Sequence, residues 1–287
     1  MPVFVSVEPA NRCNLHCPEC PVGKGRQNAK TAYLDNIDFL SDVCDSLIVI
    51  QFYFQGEPLL NNKLPELINY ASRKRLFTIV STNAQLLDKQ WAYRLVKGGL
   101  SKIIVSIDGY TQEAYSQYRV GGNIEKAKQA LSYLNEAKRE LNSPIQIVLQ
   151  CLRLKTNENE WQLLKNHYKE WGATKIEFKT AQFDDYVHGS SLMPSDSKYS
   201  RYIKQSDGTY KRKKTYKNYC YRLWSGCVVT AAGEVLPCCF CKDGRYVYGN
   251  VNNEKLSTIW KSENAEKFRK TLIPNRKKIK MFHRQKR

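Results

Sequence analysis

No run of eighteen consecutive apolar residues occurs in the 287-residue chain, so the sequence supplies no membrane-spanning helix. Residues Met1 to Pro9 lack the basic start and long apolar stretch of a secretory signal, which predicts a cytoplasmic protein. Internal repeats and low-complexity tracts are absent, and a solenoid is excluded with them. The aromatic signature of an RNA-recognition module and a GXXG loop are also missing. Acidic residues are scarce, 27 against 46 basic ones, which leaves a formal charge of +19. A field of that size attracts nucleic acid, anionic lipid or an acidic substrate. Much of the excess lies in "SDSKYSRYIKQSDGTYKRKKTYKN" and in the tail "NRKKIKMFHRQKR". Both read as solvated segments, so the charge predicts a basic surface, with neither nucleic acid nor membrane as partner.

Cysteine, by contrast, is plentiful. Ten cysteines without an export signal do not make a disulfide framework. Eight of them fall in two clusters, residues 13–20 and 220–241, while Cys44 and Cys151 stand alone and read as core. The first cluster, "EPANRCNLHCPECPVGKG", spaces its thiols C-x3-C-x2-C in a polar, Pro-broken, Gly-flanked stretch. Such a stretch is a loop, and its cysteines are ligands. Three thiolates suit an iron–sulfur cube with one iron left open, and His16 could instead complete a zinc tetrahedron.

With 42% hydrophobic and 25% charged residues, the chain can build one sizeable core and a smaller unit. Six short apolar runs predict strands: "VFVSV", "LIVIQFYF", "FTIVST", "KIIVSID", "IQIVLQC" and "KIEFKTA". Between them, "NIDFLSDVCDS", "LPELINYASRK", "DKQWAYRLVKGG", "NIEKAKQALSYLNEAKREL" and "NENEWQLLKNHYKEWG" repeat apolar residues at helical spacing. Asp88 and Asn157 are the expected N-caps. Alternation of strand and helix predicts an α/β fold with a parallel sheet, curled or doubly wound, whose chemistry sits at the C-terminal strand ends. The cysteine loop follows the first strand. After residue 182 comes a polar, Tyr- and Lys-rich connection, and then "CVVTAAGEVLPC", a hairpin turning at Ala232 and Gly233.

Four segments at successive strand ends together resemble the radical S-adenosylmethionine (SAM) superfamily. They are the cysteine loop, "QGEP" (Gln55 to Pro58), "STNA" (Ser81 to Ala84) and "SIDG" (Ser106 to Gly109). The resemblance spans residues 1–183 and implies a partial (β/α)6 TIM-like barrel followed by a small cysteine-rich extension. It implies a 4Fe-4S cluster on Cys13, Cys17 and Cys20, whose open iron is chelated by the methionine part of SAM. Reductive cleavage then yields a 5′-deoxyadenosyl radical that abstracts hydrogen from substrate, and a reductant such as flavodoxin or ferredoxin is implied as partner. By the same resemblance, Gly56 and Glu57 approach the methionine ammonium group, and Ser81, Asn83, Ser106 and Asp108 contact the cofactor. Arg119, in "YSQYRVGG", pairs the cofactor carboxylate. Two positions depart from the family pattern: Gln55 replaces a usual glycine, and Glu19 an aromatic residue that many members carry.

Cys220, twelve residues, Gly233, four residues and Cys238 form C-x12-G-x4-C, which resembles the SPASM and twitch extensions. "YGNVNNEKLSTIW" resembles them too. The implied arrangement is a core at 1–183, a basic linker or lid at 184–217, an auxiliary iron–sulfur domain at 218–275 and a basic tail at 276–287. That family carries a further C-x2-C near its C-terminus, and none follows Cys241 here. Cys220, Cys238 and Cys241 are the expected ligands, with Cys227 or Cys239 as fourth. A zinc site on the same thiols, or loss of the cluster, are the competing readings. The expected function is oxidation or crosslinking of a peptide or protein side chain. Oxidation of a sugar alcohol or amino sugar is the alternative, and an RNA-binding or RNA-modifying protein is the alternative of another class. Asp184 and Asp185, just past the sixth strand, are the acid/base candidates, against the plainer reading of a solvated turn.

Overall fold

The computed structural model describes residues 1–25, 31–213 and 220–272. All six expected strands form: β1 (Phe4–Val7), β2 (Val49–Phe52), β3 (Phe77–Thr82), β4 (Lys102–Ser106), β5 (Gln146–Arg153) and β6 (Lys175–Thr180). They pair in sequence order and all in parallel. Five helices provide the crossovers: α1 (Leu64–Arg73), α2 (Lys89–Lys97), α3 (Gln112–Ser116), α4 (Ile124–Glu140) and α5 (Trp161–His167). Strand alternation sends Val5, Val7, Ile50, Phe52, Ile103, Val105, Ile147 and Leu149 to one side, where they bury against Leu64, Leu67, Leu95 and Leu134 of the helices. Asp88 caps α2 as expected, its Oδ1 accepting from Trp91 N at 2.7 Å. Cys151 is fully buried, and Cys44 is partly buried against the same core.

Beyond these strands the sheet continues. After α6 (Arg222–Ser225), β9 (Gly226–Val229) pairs in parallel with β1, Val5 opposite Cys227. The hairpin then turns back through β10 (Glu234–Leu236) to β11 (Gly249–Asn250). Gly233 holds the turn with φ +84°, a conformation glycine adopts at no steric cost. Helices α7 (Leu256–Lys261) and α8 (Glu263–Leu272) close the core beneath it. The cysteine-rich extension thus shares one nine-stranded sheet with the barrel strands. Among the described residues no helix is long and apolar enough to cross a membrane.

Three local expectations are corrected. Residues 36–46 were expected as an α-helix, and a short 3-10 turn (Asp38–Val43) forms instead, anchored by buried Leu40 and Val43. Asn157 does not cap α5, which starts at Trp161. Its buried amide donates to Asp108 O and Leu152 O, at 3.0 and 2.9 Å, and accepts from Leu154 N and Trp161 Nε1. These four bonds use every valence of that side chain, and the one to Asp108 O ties the chain after β5 to the end of β4. Finally, the basic connection is no solvated string. Phe183, Met193 and Tyr202 bury with Leu15, Cys17 and Tyr118 in a second apolar core. Within that connection β7 (Tyr202–Lys204) and β8 (Tyr210–Arg212) form an antiparallel pair. Tyr186 stacks on Tyr202 at 4.9 Å with the Arg212 guanidinium over it. The tail from residue 276 lies outside the described residues.

Candidate functional site

Cys13, Cys17 and Cys20 lie on the loop that leaves the C-terminal end of β1. Hydrogen bonds fold it tightly: Cys20 N donates to Cys17 O at 3.1 Å, Lys24 N to Cys20 O at 2.9 Å, and His16 N to Val120 O at 3.0 Å. Two glycines permit this. A Cβ at Gly23 would stand 2.5 Å from Cys17 O, and one at Gly56 only 2.0 Å from Ala10 O. The glycine of "QGEP" is therefore required by close approach of two backbones rather than by its own torsions. Glu57 N completes the junction, donating to Arg12 O at 2.6 Å.

The three thiols are free and stand half-buried or buried between the barrel and the second core. Burial pushes the Cys13 thiol up to about 11, and burial likewise raises Cys17. Ligation demands thiolates, so this loop needs a positively charged occupant to offset the desolvation of three like charges. Iron fits that requirement. Donors already face the sulfurs: Asn83 Nδ2 lies 3.6 Å from Cys13 Sγ, and Arg119 Nη1 lies 3.9 Å from Cys17 Sγ. His16 is exposed. Among the described residues no three His, Cys, Asp or Glu side chains converge on a single-ion position, at either cysteine cluster.

The remaining expected residues divide into two groups. Glu57 is buried, and its carboxylate accepts from Thr82 Oγ1 at 2.6 Å, Asn83 N at 2.8 Å and Leu59 N at 3.1 Å. Burial raises its pKa against the pull of these donors. Asp108, 0% exposed, accepts from Arg119 Nε at 2.6 Å and from Leu152 N at 2.5 Å. Arg119 is thus held at Nε, with Nη1 directed to the cysteine loop. These charged groups order the loops around the thiols. Ser81 and Ser106, by contrast, have no side-chain partner among the described residues, and Asn83 Nδ2 reaches across to Asn14 Oδ1 at 2.8 Å. Asp184 is tied to Lys24 at 3.3 Å, and Lys24 also meets Glu19, whose Oε2 accepts from Asp184 N. Asp185 is exposed and bonded to His188. Gln55, the departure from the family pattern, has a purpose: its Nε2 donates to Lys242 O at 2.8 Å, linking "QGEP" to the second cysteine loop.

In that second loop, Cys241 N donates to Cys238 O at 3.1 Å, and Tyr246 N points at Cys241 Sγ at 3.4 Å. Cys220, Cys238, Cys239 and Cys241 stand close enough for their charges to interact. Burial pushes Cys238 up to about 12. Cys227 lies in the main core with Cys238, Cys220 packs against that core, and Cys241 packs with Val228 on the opposite side of β9. Of the two expected fourth thiols, Cys227 thus shares a core with Cys220 and Cys238, and Cys239 adjoins Cys238 in the chain.

Sequence reasoning missed Gly23, Thr82 and Glu8. Glu8, a charge at the end of an apolar strand, was visible as an anomaly. It is 4% exposed, its Oε2 accepts from Ala231 N at 3.2 Å, and its Oε1 has no partner. Burial pushes its pKa from the ordinary 4.5 up to about 7, against the pull of the Ala231 N–H. Folded Glu8 keeps its proton where the unfolded chain has lost it. Stability therefore falls as pH rises from about 4.5 to about 7, by about 3 kcal/mol, and levels above that. Glu8→Gln is expected to remove this slope and to raise the melting temperature at pH 8 but not at pH 4.5. Parallel wild-type and variant melting curves across pH would contradict the assignment.

The sequence matches the radical SAM superfamily over residues 7–150 and an iron-sulfur cluster-binding domain, SPASM, over residues 220–283. An AdoMet-dependent heme synthase of Methanosarcina barkeri is 24% identical, over 95% of this chain and 85% of its own. A PqqA peptide cyclase of Granulibacter bethesdensis is 26% identical over 68% of this chain, and the match takes in about half of that relative, 52%. Streptococcus suis SuiB bound to S-adenosylmethionine superposes with a TM-score of 0.68 at 14% identity, over 92% of this chain and 66% of SuiB. SuiB bound to precursor peptide SuiA gives 0.66, at 12% identity and over 92% and 65%. The matched families use a 4Fe-4S cluster with SAM, and auxiliary iron–sulfur clusters. With half of its length matched and three free thiols on the loop after β1, the chain belongs to the radical SAM superfamily, with a SPASM domain at its C-terminal end.

Proposed function

We propose that the protein modifies a peptide or protein side chain by oxidation or crosslinking. The observation that carries this reading is the junction of the two cysteine loops: β9 pairs with β1, and Gln55 bonds Lys242 O, so both loops stand at one end of one sheet. Similarity to a peptide cyclase supports it. When bound, the cluster on Cys13, Cys17 and Cys20 and its SAM would supply a hydrogen-abstracting radical. Around it the chain's own residues have separable tasks. Asn83 and Arg119 aim N–H groups at the sulfurs, Glu57 and Asp108 hold those two donors in place, and Ser81 and Ser106 offer unpaired hydroxyls to SAM. Phe183, Met193 and Tyr202 keep water from the back of the loop. Cys220, Cys238, Cys241 and Cys239 would hold the second cluster, an acceptor for the electron left on an oxidised substrate.

Co-expression with the short open reading frames nearest its gene, followed by mass spectrometry of each peptide, tests the reading. A peptide lighter by two hydrogens, only when Cys17 is intact, is the expected result. If every peptide keeps its mass while an amino sugar or sugar alcohol stimulates SAM cleavage, the sugar-oxidation reading replaces this one.

A further inference from the structure

Barrels of parallel strands usually fill their interior with branched apolar side chains. Here polar side chains stand on the inner face among Ile79, Ile104 and Val148. With Ile50, Phe52, Leu149 and Cys151 turned to the helices, alternation turns Gln51, Gln150 and their neighbours Ser81, Ser106 and Glu177 inward. Gln51, Ser81, Ser106 and Gln150 have no side-chain hydrogen-bond partner among the described residues, although Ser106 is only 6% exposed. Their polar atoms are not sealed from solvent and stand open to a ligand. Four such groups on one face of the sheet suit a polar ligand, of which the SAM reading absorbs the two serines and leaves the two glutamines.

The charge of this face narrows the ligand. Glu177, on the inner face of β6, meets Lys175 at 2.8 Å, Lys179 at 3.1 Å and Lys102 at 3.6 Å. Three ammonium groups share one carboxylate, so two positive charges stay uncompensated. Lys179 lies near the C-terminal end of β6, half exposed, on the open edge of the sheet.

We propose that the inner face of β2, β5 and β6 is the substrate-recognition surface and selects an acidic peptide. In this arrangement Gln51 and Gln150 hydrogen-bond the peptide backbone, and Lys179 pairs a substrate carboxylate near the mouth. The inference rests on the peptide reading above and adds the substrate's charge.

The test uses the iron-reconstituted full chain and three dye-labelled hexapeptides, alternating glycine with glutamate, glutamine or lysine, followed by fluorescence anisotropy at physiological salt. The glutamate peptide is expected to bind about tenfold tighter than the glutamine peptide, and Lys179→Gln to erase that advantage. Lys267→Gln on α8 controls for general attraction to a chain of charge +19, since it removes the same charge elsewhere. Equal binding of the three peptides, or an equal loss in the control, overturns the proposal. Glutarate, followed by its shift of the melting temperature, separates the two readings. If no peptide binds but glutarate stabilises the wild type and not Lys179→Gln, the peptide reading fails and carboxylate recognition stands. If neither peptide nor glutarate binds, the recognition surface is refuted.

Discussion

Triple replacement of Cys13, Cys17 and Cys20 by alanine is expected to abolish release of 5′-deoxyadenosine from SAM and to lower bound iron from about eight to about four atoms per chain, because two four-iron clusters become one. The first effect follows from the loop's construction. Its three thiols are free, and the surrounding burial makes unpartnered thiolates costly, so nothing else nearby is prepared to hold an open iron. The second follows from the separation of the two cysteine sets: the residual iron is expected on Cys220, before α6, and on Cys238, Cys239 and Cys241, after β10, all apart in the chain from β1's loop. Iron analysis and visible absorption after anaerobic reconstitution measure both. Cys239→Ala added to the triple variant should bleach the remaining colour, whereas Cys227→Ala should not, if the proposed fourth ligand is Cys239, next to Cys238 in the chain. A triple variant that still cleaves SAM would remove the loop from the chemistry. One that binds zinc without colour would make the C-terminal set a structural staple.

Arg119→Leu should lower stability by about 3–5 kcal/mol, the cost of leaving a buried charge without its partner. Asp108 has no exposed surface, and it gives Oδ2 to Arg119 and Oδ1 to the backbone of Leu152. For a chain of this size the loss corresponds to a fall in melting temperature on the order of 10 °C. Adding Asp108→Asn removes the orphaned charge while keeping an acceptor for Leu152 N, so the double variant should recover most of the loss. The measurement is a thermal scan of the wild type, each single variant and the double variant. A single variant that melts with the wild type would show that the pair is not a structural lock. The same substitution withdraws the Nη1 donor from Cys17 Sγ, so its cluster absorption should change even at temperatures where the fold survives.

Local pattern carried a large part of this molecule. Six apolar runs became six parallel strands in chain order because each is rich in β-branched residues over a length that suits a strand and not a helix. Cysteine spacing and the capping Asp88 were legible for the same reason: their requirements are met within a few residues. What the sequence left open involved residues far apart in the chain. The contacts of Gly56 with Ala10, of Gln55 with Lys242, of Glu8 with Ala231 and of Asn157 with Asp108 span 46 to 223 positions, and no window of the sequence displays them. Lysines likewise hid the packing of the connection after β6, because composition averages Tyr202 with its charged neighbours while the fold buries one and exposes the others. The sequence by itself determined the strand positions, the thiol inventory and the family. Only the tertiary structure decided the strand order, that Glu57 and Asp108 spend their charge on loops and an arginine, and that the extension grows from β1, because each depends on which strand edges and loop backbones can approach within hydrogen-bonding distance.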